Sequence, residues 1–427
     1  NFKLVKMWDS KQLIELASSN DLFYFLCKYD YSTIVEFLST LPKIDINNQF
    51  KIYHAPSNQK DAVQRTMAKN GDVDHLMNKK SSKYHYFEEM KKSEYKEERF
   101  FIMHTHDLEV TSGLHCALQK GNLDTVSVLI NSKNINVDAK SRKYYKTLKR
   151  HNPYGGDDEY YTNKKVKSLL HEAIISGYVD VVSLLVSLKN VDIKELFEFN
   201  REFSEAFCTS HNYLCDKVRK TPLLLATEYG YIEIMKFLLS QKNVDINETS
   251  ETVKYRAGGC EVYTKSATKE MITPLSAALK KGNFIAIKFF LSQPTIDVNI
   301  DFTEIKINMK KFYDEIVDIF KVQKGRIKNK ITTLCLSVMS NDIDIVKLLL
   351  NVPNVDVNKV SVIDSEKYRE TAMIRAPLHL AVDEKNIEII QLLLQQKDID
   401  TNIIDENEKK PIDHTDDEKI RNLFKSA

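Results

Sequence analysis

Glycine and proline are scarce in this chain, eleven and nine among 427 residues. That shortage disfavours an all-β fold or a disordered linker protein and favours helices. Cysteine is sparse too. Six thiols lie scattered at Cys27, Cys116, Cys208, Cys215, Cys260 and Cys335, a usage that reads as reduced and intracellular, with the cytoplasm as the expected location. No run of about 18 apolar residues exists to cross a bilayer, so no membrane span is expected. Neither charge is in excess: 62 Lys and Arg stand against 60 Asp and Glu, which argues against a generally nucleic-acid-binding or membrane-surface chain. Also missing are a Gly-rich phosphate loop ahead of Lys-Ser/Thr, a Gly-x-Ser-x-Gly elbow and a His-Glu-x-x-His helix. Nothing therefore points to an enzyme, a cofactor or a small-molecule substrate. The chain opens at Asn1 rather than Met, which leaves upstream residues, a removed signal peptide included, as an open expectation.

What the chain does have is length and repetition. At 427 residues it exceeds the usual size of one compact core, so several domains or a repeat array are expected. Slid against itself, it aligns at Thr221-Pro222-Leu223-Leu224-Leu225-Ala226, Thr273-Pro274-Leu275-Ser276-Ala277-Ala278, Thr332-Thr333-Leu334-Cys335 and Ala376-Pro377-Leu378-His379-Leu380-Ala381. Weaker copies start at Ser112-Gly113-Leu114-His115 and Ser168-Leu169-Leu170-His171, and a truncated one at Lys410-Pro411-Ile412. Nine positions after each full start falls a turn residue: Gly121, Gly177, Gly230, Gly282, Asn341 and, as the exception, Lys385. Glycine or asparagine there suits a left-handed residue closing a first helix. A second apolar-faced helical run follows, as in Ile234-Met235-Lys236-Phe237-Leu238-Leu239. Each unit then ends in a polar tag: Asn136-Val137-Asp138, Asp192-Ile193-Lys194, Asp245-Ile246-Asn247, Asp297-Val298-Asn299, Asp356-Val357-Asn358 and Asp400-Thr401-Asn402.

Opening, turn and tag together resemble the ankyrin repeat, clearly over about residues 110–425 and more faintly over 20–80. There Ile34-Val35-Glu36-Phe37-Leu38 copies the second helix, and Asn70-Gly71-Asp72-Val73-Asp74 copies the turn. The resemblance implies an all-α fold, an α-solenoid of about nine helix-turn-helix units whose connections are β-hairpin fingers. It also implies that the imidazoles of His115, His171 and His379 bond to backbone and have a structural role, in register with Thr221, Pro222, Thr273, Pro274 and Pro377. Two departures stand out. The Gly that usually precedes the closing Asp is absent, and the repeat starts are separated by 56, 53, 52, 59, 44 and 34 residues. The excess falls between one tag and the next start. The expected organisation is thus degenerate repeats over 1–80, a charged linker over 81–110, and an ankyrin domain over 111–427. That domain carries long fingers at 139–167, 194–219, 248–271, 300–330 and 359–374 and a capping repeat at 410–425.

The richest finger, 139–167, carries nine basic residues against Asp157, Asp158 and Glu159. Its Tyr144, Tyr145, Lys149, Arg150, Tyr154, Tyr160 and Tyr161 are candidate partner-binding residues, because Tyr and Arg are favoured anchors at protein interfaces. The same composition could hold single-stranded nucleic acid, or could be a solvated finger without a partner; protein contact is preferred to nucleic acid. In 300–330, Met309, Phe312, Ile316, Ile319 and Phe320 predict an amphipathic helix, and Phe197, Phe199, Phe203 and Phe207 suggest another over 194–219. Cys208, His211 and Cys215 offer zinc-type ligands, and His104 and His106 a weaker pair. No second Cys/His pair stands nearby, so no metal is expected.

These readings converge on a monomeric, non-enzymatic protein-interaction scaffold that binds partners along the finger edge and the concave surface. A second possibility is the regulatory portion of a larger enzyme whose catalytic part lies upstream of Asn1. A third is nucleic-acid binding through the basic finger.

Overall fold

The computed structural model of the chain describes residues 20–41, 44–47, 49–54, 101–104, 107–150, 159–188, 190–207, 210–258, 264–308, 326–364 and 372–426. These residues belong to two compact units. The first comprises Asn1–Ser176, Glu198–Lys217 and Arg256–Thr264; the second comprises Gly177–Phe197, Val218–Tyr255 and Lys265–Ala427.

The first unit contains α1 (Asn20–Lys28), α2 (Ser32–Ser39), α3 (Gly113–Lys120), α4 (Leu123–Ile130) and α5 (Leu169–Ser176). Helix α1 packs on α2 and α3, α2 on α4, and α3 on α4 and α5, so pairs stack in chain order. The strands of this unit are β1 (Gln49–His54), β2 (Phe101–His104), β3 (Asp107–Ser112), β4 (Lys140–Arg150), β5 (Glu159–Ser168), β6 (Phe197–Phe207) and most of β7 (Ser210–Lys220). They are antiparallel, in the order β1-β3-β4-β5-β6, with β2 pairing the far end of β4.

The second unit holds α6 (Val179–Ser187), α7 (Pro222–Tyr229), α8 (Ile232–Leu239), α9 (Pro274–Lys281), α10 (Phe284–Leu291), α11 (Thr333–Met339), α12 (Ile343–Leu350), α13 (Pro377–Asp383), α14 (Ile387–Leu394), a 3-10 turn (Pro411–His414) and α15 (Glu418–Ser426). First helices pack on first helices, α7 on α9, α9 on α11 and α11 on α13, and second helices do the same from α6 through α15. Its strands are β8 (Ser250–Gly258), β9 (Thr264–Ile272), β10 (Phe302–Asn308), β11 (Arg326–Ile331), β12 (Ser361–Ile363) and β13 (Met373–Arg375), each beside the next in chain order. At β13 the Ile374 N–H donates to the Glu406 carboxylate at 2.8 Å.

The helices are short because both ends are fixed chemically. Thr221 Oγ1 accepts the Leu224 N–H at 3.2 Å, Pro222 occupies the first helical position, and Gly230 closes α7 at φ 78°. The second helices bury one recurrent triplet: Ile234, Met235 and Leu238 in α8, Ile345, Val346 and Leu349 in α12, and Ile389, Ile390 and Leu393 in α14. Each such side chain stabilises the stack by about 1.5–3 kcal/mol. One pair could not bury that face alone, so its neighbours complete it.

Every described turn between paired helices has its left-handed residue. Gly121, Gly177, Gly230 and Gly282 are joined by Asn341 at φ 57°, Lys385 at 56° and Asp30, between α1 and α2, at 58°. Gly177 is constrained twice, since a Cβ there would also come within 2.9 Å of the Tyr231 ring.

The tags carry a ladder. In each Asp-x-Asn, the Asp closes a local turn, as when Asp297 Oδ1 accepts the Asn299 N–H at 2.9 Å. The Asn then reaches the following repeat: Asn247 Nδ2 donates to Thr295 O and its Oδ1 accepts the Asp297 N–H, both at 2.9 Å. Asn299 and Asn358 repeat this on the next tags, and Asn47 does so in the first unit with Asn134 O and Asn136 N.

The all-α class expected from sequence describes the helix pairs alone, because thirteen strands among the described residues add an antiparallel β component. A long connection must satisfy its backbone N–H and C=O groups, and pairing antiparallel with itself and its neighbours does so. Within the two units the described residues contain six packed α-helix pairs, with α5 and α6 consecutive in the chain but in different units, plus the shorter pairing of the 3-10 turn with α15. The Asn70-Gly71 copy, needed for a count of nine, lies outside the described residues. So does most of the expected linker 81–110, whose described part is β2 and the start of β3. The helix expected over 194–219 is instead β6 and most of β7. Phe197, Phe199, Phe203 and Phe207 are separated by even numbers of residues, a pattern that one strand face fits as well as a helix. Strands β10 and β11 flank residues 309–325, where the other helix was expected; those residues lie outside the described ones.

Candidate functional site

Three histidines at the fourth position of the opening motif are the first groups to examine for chemistry. All three are buried. His171 Nδ1 accepts the Ser168 N–H at 3.2 Å, and His379 Nδ1 accepts that of Ala376 at 3.3 Å. Ser112 Oγ lies 2.9 Å from His115 Nδ1. With Nδ1 accepting, His379 Nε2 carries the proton and donates to Lys409 O at 3.2 Å. His115 faces the backbone of Lys167, which, like Lys409, precedes the next helix cap, but its buried Nε2 has no hydrogen-bond partner among the described residues. Burial holds His115 down at about 4 and lowers His379 as well. The His379 ring thus ties its own cap to the following repeat.

The same position holds other residues elsewhere, and the structure shows what replaces the imidazole. In α9, Ser276 Oγ accepts the Thr273 N–H at 2.9 Å. Leu224 and Cys335 cannot accept in this way. Instead the Thr221 N–H donates to Ser250 Oγ, and the Thr332 N–H to Ser361 Oγ, each at 3.0 Å. Ser250 and Ser361 begin strands β8 and β12 and are buried. Sequence reasoning missed both. The available signal was a capped helix whose fourth residue has no acceptor.

Among the partner-binding candidates, Tyr144, Tyr145, Lys149 and Arg150 lie on β4 and Tyr160 and Tyr161 on β5; Tyr154 lies outside the described residues. The two strands pair without interruption from Lys140↔Ser168 to Lys149↔Glu159, which sets Thr147 opposite Tyr161 and Leu148 opposite Tyr160. Strand β4 is also paired on its other side, by β3 at Tyr144 and by β2 at Lys149 and Arg150. Strand β5 is likewise paired with β6 through Tyr160 and Tyr161. The backbone of this hairpin is therefore flanked by strands on both sides at Tyr144, Tyr160 and Tyr161, and by β5 at Tyr145.

A second set of exposed groups was not foreseen. Large apolar side chains open to solvent recur beside the left-handed turn residues: Tyr29 and Tyr31 around Asp30, Leu123 after Gly121, Tyr229 before Gly230, Phe284 and Ile285 after Gly282, and Ile387 after Lys385. Ile285 is the most open of them, at 68%. In each unit these sites mark the helix ends remote from the strands.

Of the zinc-type candidates, Cys208 and His106 lie outside the described residues, while His104 is on β2 and His211 and Cys215 are on β7. Among the described residues no group of three His, Cys, Asp or Glu is placed to hold a metal. No described helix is long and apolar enough to cross a membrane. Cys27, Cys116 and Cys335 are free and buried, and burial pushes the Cys335 thiol up to about 11.

Against this geometry, residues 155–250 and 247–405 match the family described as ankyrin repeats (3 copies), and residues 112–142 match the single ankyrin repeat. No curated protein matches the chain.

Proposed function

Since the chain belongs to the ankyrin-repeat proteins, a family whose repeats generally bind other proteins, we propose that it is a non-enzymatic scaffold or adaptor. Partners bind along the finger strands and the adjoining first helices, and the protein acts as a cytoplasmic monomer. The observation that carries this reading is the hairpin β4–β5, eleven and ten residues long and rich in Tyr and Lys. A helix stack needs only a short connection at this point, as the ten residues from Asp400 to Lys410 illustrate. The repeat core is already buried and capped by the helix pairs, so the stability of the stack does not call for the Tyr- and Lys-rich composition of this hairpin.

Deleting the hairpin would be a poor test, because β3 and β6 would lose their pairing partners. Substitution is better. Affinity capture from the native source, with chemical crosslinking, would compare the intact chain with two variants. In one, Tyr144, Tyr145, Tyr160 and Tyr161 become Ser; in the other, Tyr229 and Ile285 become Ser. Loss of the specific partners in the first alone supports the finger as the binding surface. Loss in the second alone moves binding to the turn ends, and capture unaffected by either removes both surfaces.

A further inference from the structure

In the second unit, a ring of charged side chains clasps the last, truncated repeat. His414, at the end of the 3-10 turn, sets Nδ1 2.8 Å from Asp383 Oδ1 and Nε2 3.1 Å from Asp405 Oδ2. Arg375 on β13 spans the same two carboxylates, donating to Asp383 Oδ2 at 3.2 Å and to Asp405 Oδ2 at 3.1 Å. We infer that His414 is a pH-sensitive latch: as the imidazolium it holds the C-terminal cap through both carboxylates, and loss of its proton loosens the cap.

Donor counting carries the argument. A neutral imidazole has one N–H and one lone pair, so only the doubly protonated ring donates from both nitrogens. In the neutral ring a lone pair would face a carboxylate oxygen at hydrogen-bond distance. Asp405 does not hold the proton instead. Its Oδ1 accepts the Asn407 N–H at 2.7 Å and the Lys409 N–H at 2.9 Å, and its Oδ2 accepts from Arg375. Burial alone would raise this carboxyl, yet the two N–H groups, Arg375 and His414 bring it below the usual carboxylate range.

The other charged groups around the ring are engaged. Arg375 also donates to Glu406 at 2.7 Å, and Arg421 of α15 donates to Thr415 O at 2.9 Å. His379, whose ring meets that of His414 edge-on at 5.2 Å, donates to Lys409 O. Asp383, Asp405 and Glu406 thus face one guanidinium, and an imidazolium moves that balance from −2 to −1. The His414 side chain is only 9% exposed, so water is poorly placed to replace a lost bond.

The turn packs on α13, and α15 packs on α14 and on the turn, with Ile420 fully buried. A terminal repeat has a neighbour on one side only, so it opens before the rest of the stack. The latch is fully closed below about pH 6.5, the ordinary histidine value of an unfolded chain, and its contribution is lost as the pH rises and the folded imidazolium gives up its proton. This inference goes beyond the proposed scaffold role and does not depend on it.

The test is hydrogen–deuterium exchange of the full chain from about pH 6 to pH 9, corrected for the intrinsic pH dependence of exchange. Protection of residues 411–426 should fall on the order of tenfold as the pH rises, while α7 and α8 keep theirs. The fall should vanish in His414→Gln and in Asp383→Asn. Histidine-selective 15N labelling gives a second reading on the unaltered protein, with the His414 signals assigned by their loss in His414→Gln. Both ring nitrogens should carry protons wherever the cap is protected, and ring and cap should titrate together. That reading decides the matter even where a variant loosens the cap at every pH. Cap protection that ignores pH, the same fall in His414→Gln, or a singly protonated ring in a closed cap would overturn the latch.

Discussion

Asn358 clasps the Asp400 turn with both ends of its amide: Oδ1 accepts the Asp400 N–H at 2.8 Å and Nδ2 donates to Asp398 O at 2.6 Å. The two bonds join one repeat to the next through their polar tags. Asn358→Ala should lower stability by about 1–2 kcal/mol, the net value of two partly exposed hydrogen bonds. Urea denaturation measures this directly, and an unchanged midpoint would show the ladder to be energetically idle.

The converse substitution is available in the same unit. Lys194 stands where the ladder would place asparagine, and its own tag turn is intact, with Asp192 Oδ1 accepting the Lys194 N–H at 2.9 Å. Lys194→Asn should let the new amide reach Asn243 O and the Asp245 N–H, by analogy with Asn247 and Asn299. The expected gain is about 0.5–1.5 kcal/mol. A thermal scan in which the variant melts no higher than the parent would count against the rung.

Ser250 supplies the acceptor that Leu224 cannot, so Ser250→Ala should strand a buried N–H at Thr221 and cost about 1–3 kcal/mol. In a Leu224→His background the new imidazole should take over that N–H, as His171 and His379 do in their own repeats. The penalty for Ser250→Ala should then shrink. A double-mutant cycle reads the coupling, and purely additive effects would contradict the substitution of one acceptor for the other.

His115 links stability to acid. Its folded value of about 4 lies below the usual histidine value of about 6.5, so the unfolded chain takes up the proton first. The linkage costs nothing well above pH 6.5, grows as pH falls through that value and levels off below about 4, at a size on the order of 3 kcal/mol. His115→Leu, the residue found at the equivalent position 224, should flatten that part of the profile. Denaturant melts from pH 7.5 to pH 4 on the two proteins would show whether the slopes differ.

The helix pairs were legible because the opening hexamers, turns and buried triplets recur with little change. Asp30 escaped notice as a turn residue, since aspartate tolerates the left-handed region but does not advertise it. Lys385 shows that this register can hold even an unfavourable residue in that conformation. The strands were hard to see for another reason. In Lys140–Arg150 polar and aromatic residues fill successive positions, so no apolar alternation marks a buried face, and hairpins came from family resemblance alone. The site was less legible still. Thr221 and Ser250 are 29 residues apart in sequence, and only the fold brings the Ser250 hydroxyl to the Thr221 N–H. The exposed apolar residues at the turns look, in sequence, like ordinary members of the helical stripe.

The Glu406 carboxylate on the Ile374 N–H has a consequence for solubility. A short terminal ladder with an unspent donor invites another molecule to add its own strand, which is how ordered aggregates grow. Here a side chain of the same molecule already occupies that donor, and its negative charge repels an incoming carbonyl.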